Sequence, residues 1–310
     1  MIIQTGMRTD IPAFYSEWFL NRIKEGYVMV RNPYNPIAVT RYDLSPDVVD
    51  LIAFCTKNPA PMLKYMEQLK VYRQFWHVTI TPYGKDIEPN VPDKEKVMDD
   101  FRELSKIVGV DCIAWRYDPI FLNETYTMER HLADFETMAA HLAGYTKTCI
   151  ISFIDLYKKV QRNFPEAQMV SRKNRIELGE AFVKIGKQYD ISIKSCAEGR
   201  ELAPYGVDCS GCMMKEVFEN AIGAALSVPK RKSARAECDC ILGNDIGAYN
   251  TCGHLCRYCY ANYDAATVQQ NMRHHHPASP LLLGVLRPED EIHQAKQESW
   301  VDRQLRLELW

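Results

Sequence analysis

Six short runs of apolar residues, at 2–5, 49–55, 75–81, 112–117, 148–154 and 191–194, punctuate the first two-thirds of the chain. Between them apolar residues recur at helical spacing. Val97, Phe101, Leu104 and Val108 mark one such stripe; Met128, Leu132, Phe135 and Leu142 mark another, with Asn123 or Thr125 expected to cap it and Gly144 to stop it. Strands that are apolar almost throughout need cover on both faces, so this alternation predicts an α/β fold with a parallel sheet under helices. No Gly-x-Gly-x-x-Gly turn follows the first run, which favours a full or partial (β/α) barrel of the TIM type over an open dinucleotide-binding sheet. Residues 27–30 and 37–41, around Asn32-Pro33-Tyr34-Asn35-Pro36, predict a hairpin or an excursion. The expected division is a barrel core over 1–200 and a cysteine-rich region, 201–310, packed on it.

A chain of 310 residues can bury a core without disulfide support. Its 46% apolar and 25% charged residues are those of an ordinary globular protein. A formal net charge of −2 supplies no global field for nucleic acid or an anionic membrane. The first residues lack a basic flank, and Arg8 and Asp10 interrupt them, so they do not read as a signal peptide. No apolar run approaches the roughly 20 residues of a membrane span. A cytoplasmic location with no membrane partner is expected. Of eleven cysteines, Cys55, Cys112 and Cys149 are scattered in apolar runs, whereas the other eight fall between 196 and 259. Such clustering favours metal binding over disulfides.

Polar residues gather where the predicted strands end, which is where a parallel barrel carries its functional side chains. Arg8 and Asp10 follow the first run, Lys57 the second, Arg116 and Asp118 the fourth, Ser152 and Asp155 the fifth, and Lys194, Cys196 and Glu198 the sixth. His77, Thr79 and Thr81 share one face of the third. Solvated loops and Asx-Pro turns account for any one of these. Their recurrence points to a site in which Arg8, Lys57 and Arg116 face one cavity, suited to a carboxylate or phosphate. Arg8, Asp10, Lys57, Arg116 and Asp118 are therefore the candidates for orienting cofactor or substrate. His77 is expected to be a satisfied core histidine. The run Lys230-Arg231-Lys232-Ser233-Ala234-Arg235 reads as a solvated loop, since no aromatic residues interleave with it. His274-His275-His276 reads as a flexible polar loop.

Cys252, Cys256 and Cys259 are spaced C-x3-C-x2-C. Three thiolates can bind three irons of a four-iron cluster, leaving the fourth iron open to a small chelating molecule. The competing reading is zinc, whose cysteines come more often as two C-x2-C pairs, in a binding protein, for nucleic acid among other partners, without redox catalysis. Four of the remaining five, Cys196, Cys209, Cys212, Cys238 and Cys240, suffice for a second iron–sulfur cluster or a zinc ion. The three-cysteine spacing, with Tyr258 just before the last thiol, resembles the radical S-adenosylmethionine superfamily. That resemblance implies a [4Fe-4S] cluster, S-adenosylmethionine chelated at its open iron, a 5′-deoxyadenosyl radical and a small-molecule or other substrate. It also implies an electron donor such as flavodoxin or ferredoxin, and Tyr258 near the adenine. Superfamily members usually carry the motif after the first strand, whereas here it follows all six runs, so their other cofactor contacts do not transfer.

A second resemblance covers nearly the whole chain. Arg8-Thr9-Asp10-Ile11-Pro12-Ala13-Phe14-Tyr15, Thr56-Lys57-Asn58-Pro59, Trp115-Arg116-Tyr117-Asp118-Pro119, Cys196-Ala197-Glu198 and Asp245-Ile246-Gly247-Ala248-Tyr249-Asn250-Thr251-Cys252 are similar to the signature blocks of one uncharacterised bacterial and archaeal family. That family is known as a domain of unknown function with a C-terminal radical-type cysteine motif. The resemblance implies Cys196, Cys212, Cys238 and Cys240 as the second ligand set, with Cys209 spare. Cys55 stands where the family usually has tryptophan, and Gly6-Met7 where it tends to have Ser-Arg, which bears on the shape of the pocket. It implies no substrate or reaction type.

Overall fold

The structure, a computed structural model, describes residues 1–229, 240–241 and 243–302. Cys238 and the basic run 230–235 lie outside the described residues. The strands are β1 (Ile2–Gln4), β2 (Tyr27–Arg31), β3 (Ala38–Asp43), β4 (Leu51–Thr56), β5 (Gln74–Thr79), β6 (Ile113–Ile120), β7 (Thr148–Phe153), β8 (Ser192–Ser195), β9 (Asn244–Asp245) and β10 (Glu291–Gln294). Seven of them form an all-parallel sheet in the order β8-β7-β6-β5-β4-β1-β9. The other three form the sheet β10-β3-β2, in which β2 and β3 are the expected hairpin.

The apolar runs become strands because helices cover them. β5 is buried at all six positions. The helix Lys94–Val108 buries Val97, Phe101 and Leu104 from its predicted stripe. The helix Met128–Leu142 turns Phe135 inward, where its ring stacks on Trp115 and on Phe182 of the helix Arg172–Gln188, with centroids 4.7 and 4.0 Å apart. Thr127 caps that helix, its hydroxyl accepting the Arg130 N–H, and neither Asn123 nor Thr125 does so. Asn123 spends its carbonyl on the N–H groups of Thr125 and Tyr126 in the preceding turn. Gly144 ends the helix in the left-handed region, φ 79°, as its lack of a Cβ allows.

Neither sheet is closed, so the backbone does not form the full barrel that the alternation suggested: no ladder among the described residues joins β8 to β9. Residues 207–213 run instead along the β8 edge. Asp208 exchanges backbone hydrogen bonds with Ile193 and Ser195, and Ile241 N–H donates to Met213 O at 2.8 Å. Gly206 and Gly211 hold positive φ there, which breaks any regular ladder. One hydrophobic core extends from Met1 to Trp300, and a smaller cluster around Tyr83, Phe121, Tyr126 and Phe164 abuts Tyr258. Among the described residues no helix is long and apolar enough to cross a membrane.

Candidate functional site

A cavity of about 320 Å³ opens at the carboxyl ends of the parallel strands, where βα loops converge. The loop after β1 brings Arg8 and Asp10 to it, and the loop after β4 brings Lys57. Arg116 and Asp118 come from the end of β6, Ser152 from β7, and Cys196 from just beyond β8. Cys212 and Cys240 line it from the irregular segment, and Cys252, Cys256, Tyr258 and Cys259 from the late cysteine loop. Arg8, Asp10, Lys57, Arg116, Asp118, Tyr258 and the described candidate cysteines other than Cys209 therefore share one cavity, whereas Lys194 and Glu198 do not line it.

Each candidate cation has its own carboxylate. Arg8 Nε donates to Asp245 Oδ1 at 2.7 Å, and a second guanidinium nitrogen reaches Asp245 O at 2.5 Å. Lys57 Nζ donates to Glu88 at 2.9 Å, deep in the wall, where Glu88 also accepts from Thr81 at 2.6 Å and from the Tyr258 hydroxyl. Burial works against both charges, but their mutual attraction prevails: Lys57 is held above its ordinary value and Glu88 below its own. Arg116 pairs with Asp118, which also accepts from Ser152. Here too burial opposes ionisation and pairing overcomes it, so the guanidinium is raised and the carboxyl lowered.

Asp10 is a clamp. Its carboxylate caps the helix Ile11–Phe14 through the Ala13 N–H (3.0 Å) and accepts from the Lys57 N–H (2.8 Å) and from His254 Nε2 (2.9 Å). One side chain thus ties the β1 loop and the β4 loop to the cysteine loop. Glu88, His254 and Asp245 were not singled out from the sequence. Asp245 opens one of the family's signature blocks and His254 falls between Cys252 and Cys256, whereas Glu88 belongs to no motif. His77 is completely buried, and neither ring nitrogen has a hydrogen-bond partner in ordinary geometry. The expectation of a satisfied core histidine fails on that point. Burial, with Arg116 adding to it, pushes its pKa well down, so the ring is neutral. His275 is no free loop residue either: its ring lies edge-on to Tyr15 at 4.7 Å and Nδ1 is 2.8 Å from Leu282 O.

The two departures from the family pattern touch. A Cβ on Gly6 would fall 2.4 Å from the Cys55 carbonyl oxygen, so the approach of the β1 loop to β4 requires glycine. Cys55 lines the cavity, and burial raises its thiol to about 11.

The late cysteine loop turns its thiols to one side. Leu255 adopts φ 56°, and the Cys259 N–H closes a turn on Cys256 O at 3.1 Å. Burial raises all three thiols; Cys252 also feels Cys256 and Cys259, and Cys256 feels Cys259. Cys259 Sγ accepts the Ala261 N–H at 3.3 Å; at Cys256 the Glu88 carboxylate works against the thiolate and Lys57 works in its favour. Among the described residues no three His, Cys, Asp or Glu side chains converge on a point ready for a single ion. Three thiols on one cavity wall, within electrostatic reach of one another and with a backbone donor at Cys259, are the donor set of a thiolate-ligated cluster.

A family defined as a domain of unknown function matches residues 2–261. The chain belongs to this family, DUF1848. The DUF1848 match includes every site residue above and ends just past Cys259. No curated protein and no solved structure matches the chain.

Proposed function

We propose that the chain is an iron–sulfur enzyme of the radical S-adenosylmethionine type, with a [4Fe-4S] cluster held by Cys252, Cys256 and Cys259. The observation that carries this reading is the meeting of that C-x3-C-x2-C trio with Tyr258 in one cavity at the carboxyl ends of parallel strands. When bound, the cluster supplies the electron, received from a donor such as flavodoxin or ferredoxin, that splits S-adenosylmethionine into methionine and a 5′-deoxyadenosyl radical. The strand order supports a partial barrel: β1 has β4 on one side and the last strand of the sheet, β9, on the other.

The chain's own residues bind, orient and shield. Lys57, kept charged by Glu88, offsets negative charge at Cys256 and retains donors for a carboxylate. Glu88 fixes the Tyr258 hydroxyl, so the ring keeps one orientation beside the cavity, where the resemblance puts an adenine. Asp10 holds His254, and with it the loop between Cys252 and Cys256, against β1 and β4. Arg116 and Asp118, both ionised, offer substrate a paired donor and acceptor. Met7, Phe153, Ile154, Met213 and Tyr260 give the remaining wall an apolar surface that keeps water from a reactive species.

Anaerobic reconstitution tests the reading. The expected result is a brown protein with about four irons at this trio, forming 5′-deoxyadenosine from S-adenosylmethionine once reduced. Cys256→Ala should abolish that product while leaving the far-ultraviolet circular dichroism unchanged. Product formation by the variant at the parent rate would refute the assignment.

A further inference from the structure

Cys196, Cys212 and Cys240 line the same cavity, and Cys212 stands closer to each of the other two than a four-iron cluster needs. Cys212 Sγ is 3.4 Å from Cys196 Sγ and 3.6 Å from Cys240 Sγ. The Met213 N–H donates to Cys240 Sγ at 3.3 Å, and Arg116 Nη1 donates to Cys212 Sγ at 3.5 Å. The backbone is shaped for this approach. Ala197, directly after Cys196, adopts φ 59°, and Gly211, directly before Cys212, adopts φ 110°; a Cβ on Gly211 would lie 3.2 Å from Cys240 Sγ. Cys209 takes no part, since its thiol donates to Val207 O at 3.6 Å and does not line the cavity.

The spacing discriminates between metals. Thiolates about 2.3 Å from one tetrahedral zinc ion stand about 3.8 Å from each other. Thiolates on separate irons of a four-iron cube stand roughly 6 Å apart. The two contacts at Cys212 match the first geometry and are far too short for the second.

We propose that Cys196, Cys212 and Cys240 bind a single divalent, thiophilic cation of the zinc type on the cavity wall. Loading draws the three thiols, which do not yet converge on one point, around a centre beside Cys212 and releases one proton from each. Three thiolates on a divalent ion carry one net negative charge, and Arg116 lies against it. The chain then holds two different metal centres on one cavity, and this one stands whether or not iron occupies the other trio.

Zinc binding to the full-length chain is the test. In Cys256→Ser, which disables the other trio, metal-free protein titrated anaerobically with zinc alone should retain about one zinc per chain after desalting. X-ray absorption should show at least three sulfurs at about 2.3 Å. Adding Cys212→Ser should reduce the retained zinc at least tenfold, while Cys209→Ser in its place should not. Iron uptake by otherwise unmodified protein should be unaffected by Cys212→Ser. Zinc below a tenth per chain in Cys256→Ser, or iron in the unmodified chain falling from about eight to about four on Cys212→Ser, would overturn the proposal in favour of free thiols or a second cluster. If Cys212→Ser does not fold, the sulfur count on Cys256→Ser decides alone: fewer than three sulfurs on zinc rejects the site.

Discussion

Glu88 shows how much of this site rests on residues that carry no motif. It is 3% exposed and takes hydrogen bonds from Lys57, Thr81 and Tyr258 at once. Glu88→Ala strands the Lys57 ammonium in the wall, and the expected cost is about 3–5 kcal/mol in urea unfolding of the metal-free protein. Replacing both partners, Lys57→Met with Glu88→Leu, should cost less than Glu88→Ala alone, because no charge is left unpaired. A double variant as unstable as the single one would show that lost packing, rather than the stranded charge, sets the cost. The sequence made the strand-end cations legible, since apolar runs that stop at charged residues mark where loops begin. It did not reveal their partners. Glu88 lies 31 residues from Lys57, and His254 lies 244 from Asp10. Arg116 and Asp118, two apart on β6, are the exception that side-chain alternation could have paired.

Elements with a strong period were readable, and short or polar ones were not. All six apolar runs became parallel strands within a few residues of their expected ends, because continuous burial leaves a long signature. β9 contains only two residues, and every residue of β10 is exposed, so neither has a hydrophobic pattern to find. What holds β10 beside β3 is partly electrostatic. Arg31 on β2 grips Asp290, just before β10, through both carboxylate oxygens. The hydrogen bond from Arg31 is the main reason why Asp290 has its pKa lowered to about 2, against an unfolded value of about 3.9. A depressed carboxylate stabilises the fold above its unfolded pKa, and the contribution fades as pH falls from about 4 to about 2. Asp290→Asn should therefore lower the urea midpoint at pH 5 and leave it close to the parent's at pH 2. Amide exchange across β10 and β3 should follow the same course. A deficit undiminished at pH 2 would mean that the pair does not act through Asp290 ionisation.

At the scale of the whole molecule, the cysteine-rich half is built into the sheet rather than attached to it. β9 pairs with β1, and the Ile246 N–H continues that ladder to Gln4 O at 3.0 Å. Residues 299–302 then cross back under the fold. Asp50, immediately before β4, accepts from the Ser299 hydroxyl at 2.5 Å and the Trp300 N–H at 2.7 Å. Trp300 O accepts from Ser227, and Asp302 N–H donates to Ala225 O. The Trp300 ring is buried in the main core, so this crossing joins the loop before β4 to the segment between Cys212 and Cys240. Because the cavity walls come from both halves, neither half can open without exposing the other's apolar surface. Metal-free protein should therefore unfold in one transition, with far-ultraviolet circular dichroism and tryptophan fluorescence coincident. Trp300→Ala should cost about 3–5 kcal/mol and shift both probes together. If only one probe shifted, or if two transitions separated, the halves would be independent units, and the late cysteine loop would be held to the strand ends by the Asp10–His254 clamp and its neighbours alone.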